Sequence, residues 1–244
     1  MASRLKECFD MFAAPRATVD LMYGRVQEKD PFYARVTEEF YREAMKFHPR
    51  FPLIGRLQFG VALCVLPSRF EDYFMAVEAA ARRNFKKARR NGYTLQRINY
   101  NDFLGDIDEI RKSAEVRQGR MPSDYLEGIV QPCKNPMPQT STHDYPYFGV
   151  LREGKLVAYA GCMIAGELAI IEHIFGHAAH QSDGVVPMLL IGMAESILAN
   201  YPYVKYYGYG SYFGASETLR RFKRKFCFTP HHVKWMLELG GGLC

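Results

Sequence analysis

The spacing of apolar side chains divides the chain into separate elements. In "PFYARVTEEFYREAMKF", Phe32, Val36, Phe40, Ala44 and Phe47 recur at helical intervals. Residues 31–47 are therefore expected to form an amphipathic helix. Pro49 and Pro52 close it, because proline lacks the N–H that a helix interior needs. The run "LQFGVALCVL" (57–66) is short and apolar throughout, and reads as a buried strand. Residues 68–92 read as one long helix, with Phe70, Phe74, Val77, Ala81, Phe85 and Ala88 as its buried stripe. Ser68 and Glu71 have the spacing of a capping box, and Asn91-Gly92 supplies a left-handed stop.

After Tyr93 the pattern alternates regularly. "YTLQRINY" reads as a strand and "DFLGDIDEIRKSAEV" as a helix. "QGRMPSDYLEGIV" reads as a turn with a short helix, and "QPCKNPMPQTSTHDYP" as a proline-rich loop. "YFGVLREG", "KLVAYAGCMIAG" and "LAIIEHIFG" form hairpins through Glu153-Gly154 and Gly166. "GVVPMLLIGMAESILAN" is a helix that tolerates Pro187 in its first turn. "VKYYGYG", "SETLRRFKRKF" and "HHVKWMLEL" then give strand, helix and strand. The order β-α-α-β-β-β-α-β-α-β requires a mixed sheet with helices on its faces, an α/β (α+β) architecture. Residues 1–92 are expected as an N-terminal, mostly helical extension and 93–244 as the core domain.

Composition narrows the class. A chain of 244 residues that is 48% hydrophobic can bury a sizeable core, which excludes disorder. The cysteines (Cys8, Cys64, Cys133, Cys162, Cys227 and Cys244) include no Cys-x-x-Cys pair, and read as reduced thiols of a cytoplasmic protein. No apolar run is long enough to span a bilayer. The net charge of +6 favours an anionic partner.

Candidate chemistry concentrates in "IEHIFGHAAHQSDGVVPMLL" (171–190), where a buried strand hands over to a buried helix. The turn contains Gln181, Ser182, Asp183, Gly184, Val185 and Val186. The first turn of a helix offers unpaired N–H groups and a positive dipole end, which suits a pyrophosphate. Asp183 admits another reading, since aspartate is an ordinary helix cap and competes with a phosphate for the same donors.

The element order with this turn resembles the GNAT superfamily of acyltransferases over residues 93–238. There the loop reads Gln/Arg-x-x-Gly-x-Gly/Ala. Gln181 and Gly184 match it and Val186 departs from the small final residue. The resemblance implies a mixed, mainly antiparallel GNAT-like sheet. It also implies that Gln181, Ser182, Gly184, Val185 and Val186 hold acetyl-CoA or another acyl-CoA. "RRNFKKARRNGY" and "LRRFKRKF" are similar to runs of the Fem-type aminoacyltransferases, whose second run is Tyr-Arg-Phe-Lys-x-Gly-Phe. Arg220 stands at its tyrosine and Lys225 at its glycine. "VRQGRMPSDYL", "GKLVAYAG" and "GHA" resemble uncharacterised bacterial and phage GNAT-like proteins.

Acyl transfer to an amine needs a base and an acid. The strand before the turn offers Glu172 and His173 as bases. Alternation puts them on opposite faces, Glu172 with Ile170 and Ile174. Arg221 stands where the superfamily has its tyrosine acid, which leaves Tyr209 and Tyr212 as candidates. Packing is the competing reading for each tyrosine, and a structural partner is the competing reading for Glu172 and His173. His173, His177 and His180 with Glu172 raise a zinc site, but their spacing has no recognised signature and no metal is expected. Arg82, Arg83, Lys86 and Lys87 on one helix, with Arg221 and Lys223 on another, form a platform for coenzyme phosphates, tRNA or DNA, or else two solvated faces. Three functions follow: an acyl-CoA-dependent transferase acting on an amine, a Fem-like transferase fed by aminoacyl-tRNA, or a non-catalytic module that binds nucleic acid or protein.

Overall fold

The computed structural model describes residues 13–26, 31–48, 51–117, 121–134, 140–213 and 215–237. Pro49, Cys8, Cys244, the turn at 118–120 and part of the proline-rich loop at 135–139 lie outside them. Eleven strands are described: β1 (Arg16–Asp20), β2 (Phe47–His48), β3 (Phe51–Gly55), β4 (Phe59–Val65), β5 (Thr94–Ile98), β6 (His143–Asp144), β7 (Tyr147–Arg152), β8 (Lys155–Ala165), β9 (Leu168–Gly176), β10 (Tyr206–Ser211) and β11 (Thr229–Met236). The helices are α1 (Pro31–Met45), α2 (Phe70–Ala76), α3 (Ala79–Arg90), α4 (Leu104–Lys112), α5 (Ser123–Leu126), α6 (Val185–Asn200) and α7 (Glu217–Lys225). Among the described residues no helix is long and apolar enough to cross a membrane.

The main sheet runs β1-β11-β4-β10-β9-β8-β7-β5, with β6 attached to β8. Among the described residues only the β1/β11 and β9/β10 pairs are parallel. The expected mixed, mainly antiparallel sheet flanked by helices is what forms. Strands from before residue 93 belong to it: β4 lies between β10 and β11, and β1 flanks β11. The apolar run at 57–66 is therefore an interior strand, buried on both faces, which explains its lack of alternation.

Helix α6 fills one face of the sheet. Met188, Leu189, Leu190, Ile191, Met193 and Ile197 are all buried, against the sheet below and α2 and α3 beside it. Each such side chain contributes about 1.5–3 kcal/mol by leaving water. On the opposite face, β1, β4 and β11 pack towards α1 through Val19, Leu63, Trp235 and Phe40, and β7 and β8 towards α4 through Ile107, Ile110 and Tyr159.

The helix expected over 68–92 is two helices. Val77 and Glu78 take extended backbone, and the Glu78 N–H donates to Lys225 O of α7 at 2.9 Å. A tertiary bond thus replaces the local one. The capping box does not form either: α2 begins at Phe70 after Arg69, and Glu71 pairs with Arg69. Gly92, at φ +82, ends α3 as expected.

Candidate active site

Parallel pairing of β9 with β10 covers Leu168, Ala169 and Ile170 and then stops. Beyond Ile170, β9 is paired only with β8. The two strands part, and the space between them is a cleft of about 640 Å³. Ile174 and Gly176 of β9, Gln181 and Val186 around the turn, Tyr209 of β10 and Phe222 of α7 are among its walls. At the parting, the buried Lys223 ammonium donates to the Tyr209 and Ser211 carbonyls, each at 2.6 Å. It has no acidic partner among the described residues, and desolvation pulls its pKa down to about 8.

A bulge alters the side-chain alternation of β9. His173 pairs with Gly161 and Ile171 with Cys162, so Glu172 is left without an opposite residue. Ile170 packs with the β1/β4/β11 cluster, whereas Ile174 packs with the α6 cluster. The expectation that Glu172 and His173 face opposite ways is therefore wrong. The Glu172 carboxylate accepts from Tyr145 Oη, and the His173 ring lies against Tyr147 at 5.5 Å, on the same side, since Tyr145 and Tyr147 are in contact at 5.8 Å.

Tyr145 is held by its neighbour. Asp144, 1% exposed, accepts from Arg97 at 2.6 and 3.0 Å and from Tyr201 Oη at 2.6 Å. That fixes β6, and Tyr145 follows immediately. Water reaches Glu172 from the cleft, yet the surrounding protein removes enough of its hydration to push the carboxyl up, with the Tyr145 bond pulling the other way. His173 goes down to about 4, through desolvation and then the nearby Arg111 charge. It is neutral at physiological pH. Gly161 makes room for it: a Cβ there would come within 2.3 Å of the ring.

The turn is built differently from a simple phosphate cradle. Gly184, at φ +83, lies against α3, and a Cβ there would come within 2.5 Å of Asn84 O. Asp183 caps no N–H of α6. Its carboxylate accepts from Tyr93 Oη at 2.8 Å and from Asn91 Nδ2 at 3.2 Å, with Lys87 at 3.5 Å. The Tyr93 bond, followed by Lys87, lowers its pKa. Lys87 also donates to Ser182 O at 2.9 Å. Of the turn residues singled out in the sequence, Gln181 and Val186 border the cleft, while Ser182 is exposed and Gly184 and Val185 are buried.

Tyr209 borders the cleft, but Tyr212 does not: it is buried and its Oη accepts from Arg224 at 2.8 Å. Arg83, Lys86 and Arg221 are exposed; Arg82 is drawn to Met75 Sδ. Lys223 faces inwards rather than towards a polyanion. His177 and His180 are in ring contact at 5.5 Å, whereas His173 belongs to the tyrosine cluster. Among the described residues, no group of three or more His, Cys, Asp or Glu is placed to hold a metal ion. Sequence reasoning missed Tyr145, Lys223 as a buried amine, and Arg117. The Arg117 guanidinium borders the cleft and donates to Gly176 O at 2.5 Å.

A mixed, mainly antiparallel sheet flanked by helices, whose strands β9 and β10 splay beside the N-terminus of α6, is a GNAT-like fold. No family model matches the sequence, and no curated protein matches it. Among solved structures, the chain is similar to FemX, with a TM-score of 0.55 and 9% identity over 70% of this chain and 59% of that one. L-PGS from Bacillus licheniformis gives 0.44 and 15% over 70% and 57%. The ribosomal-protein-S18-alanine N-acetyltransferase from Escherichia coli gives 0.31 and 17% over 43% and 59%. The chain spans less than two thirds of each of these proteins. At 9% identity the likeness to FemX is one of fold.

Proposed function

We propose that the protein is an acyltransferase that moves an acyl group onto an amine, with Glu172 as the base. One observation carries this: Glu172 stands at the bulge just past the point where β9 leaves β10 and borders the cleft, with its carboxyl pushed up by partial loss of hydration. In the step, the amine nitrogen bonds to the acyl carbon and its proton passes to Glu172. The bond from carbon to the donor's sulfur or oxygen breaks, and the leaving group takes the electron pair. Tyr209, on the cleft wall, is the candidate to protonate it. His173, neutral and packed among tyrosines, shapes the floor.

The donor enters past Gln181, Val186 and the first turn of α6, whose N–H groups and dipole suit a phosphate. An acyl-CoA is the first reading. An aminoacyl-tRNA is the second, and a specific observation favours it: Gly184 is used for contact with α3, leaving less open backbone than a pyrophosphate loop needs. The exposed Arg83, Lys86 and Arg221 then meet the nucleic acid. Native mass spectrometry of freshly purified protein separates them. A retained coenzyme A thioester supports the first and a retained tRNA the second. If neither is retained, and no amine is acylated from either donor, the transferase reading fails.

A further inference from the structure

A second cleft, of about 520 Å³, lies between α1 and the segment around β6 and β7. This volume is within the usual range for small-ligand sites. Phe32, Val36 and Phe40 line it from one face of α1, and Tyr145 and Tyr147 from the other wall. Glu172 borders this cleft as well as the first.

The charges of the lining are uneven. It carries the carboxylates of Glu39, Glu43 and Glu172 and one ammonium, Lys134. Glu43 is already paired, with Lys46 and Arg56. Glu39 has no ion pair among the described residues, and Glu172 has only the Tyr145 hydroxyl, which holds its Oε2. Oε1 is left for a further donor. Aromatic faces attract a cation and repel an anion. Apolar side chains at helical spacing suit an alkyl chain.

Resting on the acyltransferase reading for its role, we propose that this cleft is the acceptor site and takes an aliphatic primary ammonium. Its chain lies against Phe32, Val36 and Phe40, and its nitrogen meets Glu172 Oε1 beneath the tyrosines. At mildly alkaline pH solvent takes one proton from the ammonium, and the same carboxylate receives the second as the nitrogen bonds to the acyl carbon. A carboxylate-bearing acceptor without an amine has only Lys134 to meet it.

The probes are hexylamine, hexanol and hexanoate, titrated by calorimetry into the full chain without acyl donor at mildly alkaline pH. Hexylamine is expected to saturate one site, bind roughly tenfold or more tighter than hexanol, and weaken with salt. Hexanoate is expected not to bind. Glu39→Lys, on an exposed position, and Glu172→Gln should each weaken hexylamine roughly three- to tenfold and leave hexanol unchanged. Val36→Phe should fill the cleft and weaken both. Equal affinity for hexylamine and hexanol overturns the proposal, as does preference for hexanoate or indifference to Glu39→Lys. Selective amine binding by a protein that acylates nothing keeps this site and removes the transferase reading. Acylation whose amine KM ignores Glu39→Lys and Val36→Phe keeps that reading and removes this site.

Discussion

Tyr145 Oη donates to Glu172 Oε2 from 27 residues earlier in the chain, joining the segment after β6 to the bulge of β9. The bond ties the orientation of the candidate base to a tyrosine that is itself anchored through Asp144 to Arg97 and Tyr201. It also opposes the desolvation that raises the Glu172 carboxyl.

Glu172→Gln should therefore give a folded protein with near-normal donor binding and turnover reduced on the order of a hundredfold to ten-thousandfold. If Glu172 is the base, it must be ionised in the unaltered protein. Its raised pKa means that activity falls as pH drops through a value above the ordinary carboxylate range. Tyr145→Phe removes the bond that favours the carboxylate, so that limb should move to still higher pH. A kcat/KM profile whose acid limb is unmoved by Tyr145→Phe would detach the tyrosine from the base.

Gly184 and Val186 should separate folding from donor binding. Gly184→Ala places a Cβ at φ +83, against Asn84 O. A left-handed non-glycine residue costs about 1–2 kcal/mol before the clash is counted. A lowered urea midpoint is expected. Val186→Glu, at the cleft wall, should fold normally and lose an anionic donor by repulsion. Normal stability of Gly184→Ala would mean that α3 yields easily.

Lys223 offers a measurement of stability. Its folded pKa of about 8 lies below the usual lysine value near 10.4. Between those values the unfolded chain binds the extra proton, so stability should rise with pH across that window. Below it the full cost of the buried ammonium is present. Lys223→Met keeps the bulk and cannot titrate. Subtracting its pH–stability curve from that of the parent should leave a rise of a few kcal/mol; a flat difference would mean that the two carbonyl acceptors offset the desolvation.

The exposed basic residues test the nucleic-acid donor. Reversing Arg83, Lys86 and Arg221 should reduce the slope of log affinity against log salt by roughly 0.7–0.9 for each lost phosphate contact. A protein that retards no RNA at low salt leaves these as solvated charge.

What could be read from the sequence was local. The apolar continuity of α6 and of β8 announced buried elements, and Gly92 announced the end of α3, because each depends on neighbouring residues. The break at Val77 and Glu78 did not show, since its cause is the Lys225 carbonyl on a helix from another part of the chain. The placement of β4 inside the sheet likewise depends on β10 and β11. In the site, Glu172 and Gln181 were legible as polar groups at a strand–helix handover, and Tyr209 as a stand-in for the tyrosine that Arg221 replaces. Their arrangement was not. Strict alternation gives Glu172 and His173 opposite faces, and one unpaired residue in the ladder cancels it. Tyr145 carried no local signal, being one aromatic in a proline-flanked loop.

His173 supplies the last test, and it bears directly on that bulge. The ring packs over Gly161 and against Tyr147, Tyr159 and Phe175. In the unfolded chain it takes a proton near pH 6.5; in the folded protein only near 4. Stability should therefore be complete above about 6.5 and fall as pH drops from there towards 4, because the unfolded state binds the proton first. His173→Phe removes this dependence and keeps a ring in the tyrosine cluster. Gly161→Ala should push the imidazole out of its place and raise its pKa towards the solvent value, visible as a shift in its NMR titration. Both variants leave the Glu172 carboxyl and the Tyr145 hydroxyl in place. If the imidazole already titrates near 6.5 in the unaltered protein, it is solvated, and the bulge does not turn it to the Tyr147 side of the sheet.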